Sequence, residues 1–466
     1  MNKITKTQIS KFFSMVIPLI PNFLIVTFLR LSIKQRRADG EDTILYKKKS
    51  DKRTILALDS ERYRGDIDVL AKSENFRVLH IRQGWERLIT DVHLRGMENI
   101  VKVKNLPKGT ELYYKNKKTL LLMKKILSKL YKIIDIDCVT TVHFKYHPDY
   151  YWTKVSEDLN VPYIMLYREC NLMSPLMYKK VTLMMENHGK FHGSHIIVHN
   201  KKCKDVFIES DFAKEEDVTI ASALRMDDLL NKVNQEKCNN TVIENQRKKF
   251  VLFYFPVDSS MFGSNDGFIN KQYYPSGDFW SKREEFFTQL HNIVLKLAKE
   301  NQDIDFIIKP KEIFIHDASW GFYEKVISES SIDVKKLDNY RVDAHVDVHS
   351  LINESNVICG GQSSTTVESL LLGKRVILPV FLGYTNTEYF QQFPWREYLD
   401  LFDVAENITE FEKIFYDAMQ LVEINDEAME KRRELFLQCF YDLTGNAIGK
   451  YTETITDVIN KRRMDN

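Results

Sequence analysis

The stretch Val357–Pro379, VICGGQSSTTVESLLLGKRVILP, decides the fold. The apolar triplet VIC is short enough for a buried strand. It runs into Gly360 and Gly361, where the chain can turn sharply and a ligand can approach the backbone. Gln362, Ser363, Ser364, Thr365 and Thr366 then bring donors to a helix start, where unpaired N–H groups and the helix dipole favour a phosphate. Glu368 is expected in the first turn, within reach of ribose hydroxyls. Gly373 closes the helix before RVIL (Arg375–Leu378) opens the next strand. Serine and threonine are common caps, so the same residues also read as a capped helix without a ligand.

Working outward, the same alternation recurs on both sides. FVLFYF (Phe250–Phe255), a helical run at Lys282–Asn301 and FII (Phe306–Ile308) precede the stretch. Nearer the N-terminus come TILAL (Thr54–Leu58), RVLHI (Arg77–Ile81), CVTTV (Cys138–Val142), YIMLY (Tyr163–Tyr167) and HIIV (His195–Val198), with helical segments such as Tyr151–Leu159 between them. Strands buried on both faces read as continuous apolar runs, and alternation with helices implies parallel sheets. The polar segment Asn231–Lys249 marks a boundary. The expected fold is α/β, with two Rossmann-like doubly wound domains, residues 54–240 and 248–440, facing across a cleft. Within residues 441–466, a helix at Ala447–Arg462 is expected to cross back to the first domain.

Composition agrees with a folded chain of this kind. The 466 residues are 44% hydrophobic and 28% charged, too apolar for disorder, and 17 Gly with 11 Pro exclude collagen-like and linker-dominated architectures. Six cysteines stand singly, without a C-x-x-C pair for zinc or redox chemistry, which points to reduced thiols in the cytoplasm. A net charge of +2 forecasts no nucleic-acid partner. It conceals an asymmetry, since residues 1–53 hold twelve Lys or Arg against four acids, a surplus of eight that leaves −6 for the remainder. Residues 12–29, FFSMVIPLIPNFLIVTFL, carry no charge and would reach about 27 Å as a helix. Pro18, Pro21 and Asn22 interrupt them, so an interfacial anchor, a buried helix and a span all remain open. A second basic block, Lys102–Lys132, has ten lysines opposed only by Glu111, with leucines at helical spacing. It reads either as a solvated helix face or as a surface for anionic lipid. The expected placement is peripheral, at the inner face of the cell membrane, with residues 1–53 on the anionic surface.

In the order of its parts the chain resembles GT-B glycosyltransferases, particularly bacterial surface-carbohydrate biosynthesis proteins. It is more distantly similar to bacterial sialyltransferases, Kdo transferases and polyol-phosphate transferases with a paired-serine motif. The residues that carry the likeness, over roughly residues 54–460, are the serine turn, DVTIASALRMDDLL (Asp217–Leu230), DIDFIIKPK (Asp303–Lys311) and VPYIMLYRECN (Val161–Asn171). The resemblance implies that Gly361, Gln362, Ser363, Ser364, Thr365 and Glu368 hold the donor nucleotide, with Arg225 near the interdomain junction. Many relatives read Lys-Pro-His-Pro where this chain has Lys309, Pro310 and Lys311, so the two lysines are the expected phosphate cations in place of that histidine.

An inverting transferase needs a base on the acceptor side to take the proton of the attacking hydroxyl. Glu169, which ends a strand beside Arg168, is the first candidate, with Asp59 and Glu61 after the first strand as rivals. His143 and His147 follow another strand and are further candidates. No Asp-x-Asp pair follows a strand as in metal-dependent GT-A enzymes, so no metal and no cofactor are expected. The implied activity is transfer of a sugar from a nucleotide-sugar donor to a glycan or lipid-linked acceptor. Three alternatives stand beside it: a CDP-polyol phosphotransferase, a UDP-sugar 2-epimerase-like enzyme, and a non-catalytic scaffold.

Overall fold

The computed structural model describes residues 20–44, 50–94, 106–144, 146–236, 247–254, 279–311, 314–315, 318–420 and 424–464. The chain divides into two compact units. Met1–Cys170, Val181–Lys232 and Phe440–Asn466 make the first, and Asn171–Lys180 with Val233–Cys439 make the second.

Among the described residues the first unit has eight strands: β1 (Lys34–Arg36), β2 (Asp42–Ile44), β3 (Arg53–Leu58), β4 (Phe76–Ile81), β5 (Cys138–Thr141), β6 (Tyr163–Tyr167), β7 (His195–Val198) and β8 (Val218–Ile220). They lie in the order β2-β1-β4-β3-β5-β6-β7-β8. From β4 to β8 every pairing is parallel, as the apolar runs predict. β1 is antiparallel to both β2 and β4. Residues 22–44, expected ahead of the first domain, thus belong to its sheet and core. On one face the helices Asn22–Ser32, Glu111–Ile134 and His147–Asp158 pack through Ile25, Leu29, Met123, Ile126, Leu130 and Trp152. On the other, Asp66–Ala71 and Ala447–Met464 pack through Ile67, Leu70, Tyr451, Ile455 and Ile459. Each fully buried aliphatic side chain of this kind contributes about 1.5–3 kcal/mol. The lysine-rich helix Glu111–Ile134 is therefore held by its apolar seam, with Thr110 accepting from the Tyr113 N–H at 3.2 Å as its cap.

The helix Asn22–Ser32 has a second character. Ile25, Val26 and Leu29 are buried, but Phe23, Phe28 and Leu31 on the opposite arc are 61%, 50% and 69% exposed. Residues 12–19 of the uncharged run lie outside the described residues. Among the described residues no helix is long and apolar enough to cross a membrane.

Among the described residues the second unit holds six strands, all parallel: β9 (Lys248–Phe253), β10 (Ile304–Lys309), β11 (Tyr340–Val342), β12 (Val357–Cys359), β13 (Arg375–Pro379) and β14 (Asp403–Ala405), in the order β11-β10-β9-β12-β13-β14. Phe250, Phe306, Phe411 and Phe415 form the centre of its core on one face, with ring centroids 5.4–6.4 Å apart. Among the parallel strands of each unit the order reverses once, between β3 and β5 in the first and between β9 and β12 in the second. The crevice beyond the carboxyl ends at such a reversal is where open α/β sheets bind ligands.

Candidate active site

In the second unit the reversal is occupied by the serine turn. Gly360 follows β12, and a Cβ there would sit 2.7 Å from Thr366 Cγ2, so only glycine lets the helix Ser364–Leu371 begin this close to the strand. Ser363 caps that helix: its Oγ accepts from the Thr365 hydroxyl at 2.7 Å and from the Thr365 N–H at 3.4 Å. Two donors hold the turn's carbonyls, Trp395 Nε1 to Gly361 O at 3.3 Å and Asn171 Nδ2 to Gln362 O at 3.2 Å. Ser364, the first helical residue, and Thr365 are half-buried and start the helix whose N–H groups the sequence assigned to a phosphate.

Other donor-side expectations change. Glu368 lies in the second helical turn, not the first, and is buried; its carboxylate shares a 3.2 Å hydrogen bond with His349 Nε2. The helix starts at Ser364, later than the hydroxyl run alone suggests, because Ser363 is spent as its cap. Lys309 turns back on its own loop and donates to Ala344 O at 2.8 Å and Pro310 O at 3.1 Å. Lys311 is exposed, its Nζ 5.4 Å from the centre of the Phe314 ring. Arg225 belongs to the first unit, where its N–H donates to Asp66 Oδ1 at 2.9 Å and its guanidinium lies 3.7 Å from Asp66 Oδ2.

In the first unit the reversal brings together residues remote in sequence. Asp59 leaves β3 in the left-handed conformation at φ 51°, which turns its buried carboxylate onto Arg62 Nε at 2.6 Å. His143 leaves β5 and is fixed from both sides. Its Nδ1 lies 2.8 Å from Asp149 Oδ2, and its Nε2 lies 3.1 Å from Arg62 Nη1 and 3.7 Å from Asp59 Oδ2. Arg62 can only donate, so Nε2 accepts and Nδ1 carries the proton toward Asp149. Asp149 is held in turn: it accepts from the Tyr146 N–H at 3.1 Å and the Thr141 hydroxyl at 3.4 Å. Burial alone would lower the His143 pKa; the charge and hydrogen bond of Asp149, with Asp59 adding to them, outweigh it and raise the ring above its ordinary value. The neighbouring Glu86 is pushed well up by burial, then by the charges of Asp149 and Asp59. A histidine with a fixed tautomer, a carboxylate behind it and a raised pKa has the attributes of a general base.

Of the other acceptor-side candidates, Glu169 follows β6 with its side chain 51% exposed and Arg168 Nε 3.5 Å away. Glu61 is exposed, 3.8 Å from Arg82. His147 is the first residue of the helix His147–Asp158, and its side chain lies outside the described residues. Sequence reasoning missed Asp149 and Arg62 as partners of His143, and the buried Glu86 beside Asp149 and Asp59. The available signal was an aspartate at the start of the helix that follows the strand bearing the histidine.

No protein-family model and no curated protein matches the chain. Among solved structures, a proposed UDP-N-acetylglucosamine 2-epimerase of Listeria monocytogenes is similar at a TM-score of 0.50 and 12% identity, over 88% of this chain and 97% of that one. The UDP-GlcNAc 2-epimerase of Neisseria meningitidis bound to UDP-GlcNAc gives a TM-score of 0.45 at 13% identity, over 87% and 100%. A UDP-forming trehalose-phosphate synthase of Burkholderia xenovorans gives 0.45 at 8%, over 88% and 99%. At these identities the likeness is one of fold: two parallel, Rossmann-like α/β units of GT-B type.

Proposed function

We propose that this chain is a nucleotide-sugar-dependent glycosyltransferase, in which the serine turn after β12 binds the donor phosphates and His143, oriented by Asp149, takes the proton of the acceptor hydroxyl. The observation that carries the reading is the His143–Asp149 pair at the strand reversal of the first unit. A base so placed contributes about 10²–10⁴-fold to a transfer rate. The helix N-terminus after Ser363 and the cations of lysine and arginine side chains stabilise the leaving diphosphate without a metal. The exposed Phe23, Phe28 and Leu31 support a lipid-linked acceptor and work at a membrane surface.

The assay incubates the full chain with UDP-N-acetylglucosamine and with CMP-, CDP-, UDP- and GDP-linked donors, with and without a membrane extract, in the presence of a chelator. Release of nucleoside diphosphate or monophosphate that depends on the extract and falls at least about 100-fold in His143→Gln supports transfer. Wild-type turnover in His143→Gln, with loss in Glu169→Gln, moves the base to Glu169. Activity lost to chelator and restored by manganese overturns metal independence. The fold shared with the Listeria protein favours one second reading, epimerisation of a UDP-sugar, whose signature is a changed nucleotide sugar with no acceptor added and no net release of UDP.

A further inference from the structure

We propose that the first unit carries a phosphate-binding site formed by Arg64, Arg168 and Arg225 at the carboxyl edge of its sheet, and that it takes the phosphate or pyrophosphate group of the acceptor. The second clause rests on the transferase reading; the first does not. Arg64 stands at φ 50° and is followed by Gly65 at φ 91°, a turn that brings the backbone against Arg225, whose Cβ is 3.9 Å from where a Gly65 Cβ would be. A non-glycine residue in the left-handed region is uncommon and is kept where its side chain is needed. The Arg64 side chain is exposed, and among the described residues its guanidinium has neither a hydrogen bond nor an ion pair.

Its neighbours explain why that guanidinium is a surplus charge. Arg168, just after β6, has Glu169 at 3.5 Å and donates through Nη1 to Arg62 O. Arg225, after β8, has Asp66, whose carboxylate is already engaged by the Arg225 N–H. Arg168 and Arg225 each face a carboxylate, whereas Arg64 has no ion pair among the described residues. Packing against its neighbours, and then the charge of Arg168, lower the Arg64 pKa although part of the residue still meets solvent. Behind them His199, after β7, is buried, and its Nδ1 has no partner. An anion with several acceptor oxygens relieves the repulsion and gives the Arg64 guanidinium a partner, and the forked guanidinium matches phosphate geometry.

The test titrates the full-length chain with inorganic pyrophosphate by calorimetry, beside Arg64→Ala, Arg64→Gly and Ser363→Ala. Arg64→Gly relieves the left-handed backbone, so it melts at or above the wild type and separates lost binding from lost folding. The expected result is salt-sensitive binding at two sites: the one that both Arg64 variants weaken about tenfold or more persists in Ser363→Ala, which affects only the site at the serine turn. Competition by a polyprenyl phosphate in detergent identifies a lipid source, and competition by a soluble sugar phosphate a free one. Wild-type binding in Arg64→Gly, or no binding by the wild type, overturns the site. Transfer that persists with no pyrophosphate site overturns this inference alone, whereas pyrophosphate binding without any turnover of nucleotide sugars overturns the function and leaves the site.

Discussion

Replacing Asp149 with asparagine tests the His143 dyad without removing the ring. The Nδ1 to Oδ2 distance of 2.8 Å is that of a charge-assisted hydrogen bond, worth about 1.5–3 kcal/mol when the ring is protonated. Asparagine still accepts from the Tyr146 N–H as the helix cap does, so the backbone around it is retained. The folded-state pKa of His143 is raised, so this stabilisation is fully present below the ordinary histidine value of 6.5 and is lost as pH rises through the folded value. The difference in unfolding free energy between wild type and Asp149→Asn is therefore about 1.5–3 kcal/mol near pH 5 and shrinks above neutrality. A unit of this size loses about 2–4 °C of melting temperature per kcal/mol, so denaturation scans at several pH values resolve it. Proton NMR of the histidine Cε1 position follows the same event directly: the His143 titration moves to lower pH in the variant. With the correct donor, the acid limb of kcat/KM moves the same way, while its plateau falls because the ring loses the negative charge that stabilises its protonated form. A His143 that titrates at or below 6.5 in the wild type, or a stability gap independent of pH, would refute the reasoning.

Three further outcomes are expected. Gly360→Ala should weaken nucleotide binding and lower the melting temperature, because its Cβ would lie 2.7 Å from Thr366 Cγ2, while Ser363→Ala should cost about 1 kcal/mol as a lost cap; thermal melts with and without nucleotide separate the two. Exchanging Phe23, Phe28 and Leu31 for serine should abolish flotation with anionic vesicles yet leave the melting temperature within a degree or two, since these side chains are exposed; unchanged flotation would rule this face out. Burial first, then Lys461 and Lys204, lowers the His195 pKa to about 4, so the unfolded chain binds this proton first as pH falls. That term removes up to about 3 kcal/mol of stability between pH 6.5 and 4, and equilibrium unfolding of His195→Gln should show a flatter pH dependence over that window.

The strands that were legible in the sequence are those buried on both faces, such as TILAL and YIMLY, where an apolar run has no other explanation. β1 (KQR), β2 (DTI), β11 (YRV) and β14 (DVA) were not, because an edge or outer strand of three residues keeps its polar side chains and leaves no periodic trace. The serine turn was legible because strand, glycine, cap and helix follow one another within a dozen residues. The dyad was only half legible. His143 stood out as one histidine after a strand, but its meaning comes from Asp149 across a turn and from Asp59 and Arg62 in the turn after another strand, and sheet order alone brings these together. Glu368 was placed one turn too early because the sequence does not show which of the successive hydroxyl residues caps the helix.

The helix Ala447–Met464 lies in the core of the first unit, and both carboxylate oxygens of Asp227 bind its first two N–H groups at 2.8 and 2.9 Å. During synthesis the ribosome therefore releases all of Val233–Cys439 before the first unit possesses the segment that closes its hydrophobic face. Folding cannot proceed strictly from the N-terminus; the later unit can mature first while the earlier one waits with Ile67 and Leu70 uncovered. Expression of residues 1–232 alone would leave that face open permanently, so a chaperone-dependent or aggregating fragment is the cost of a chain that returns to where it began.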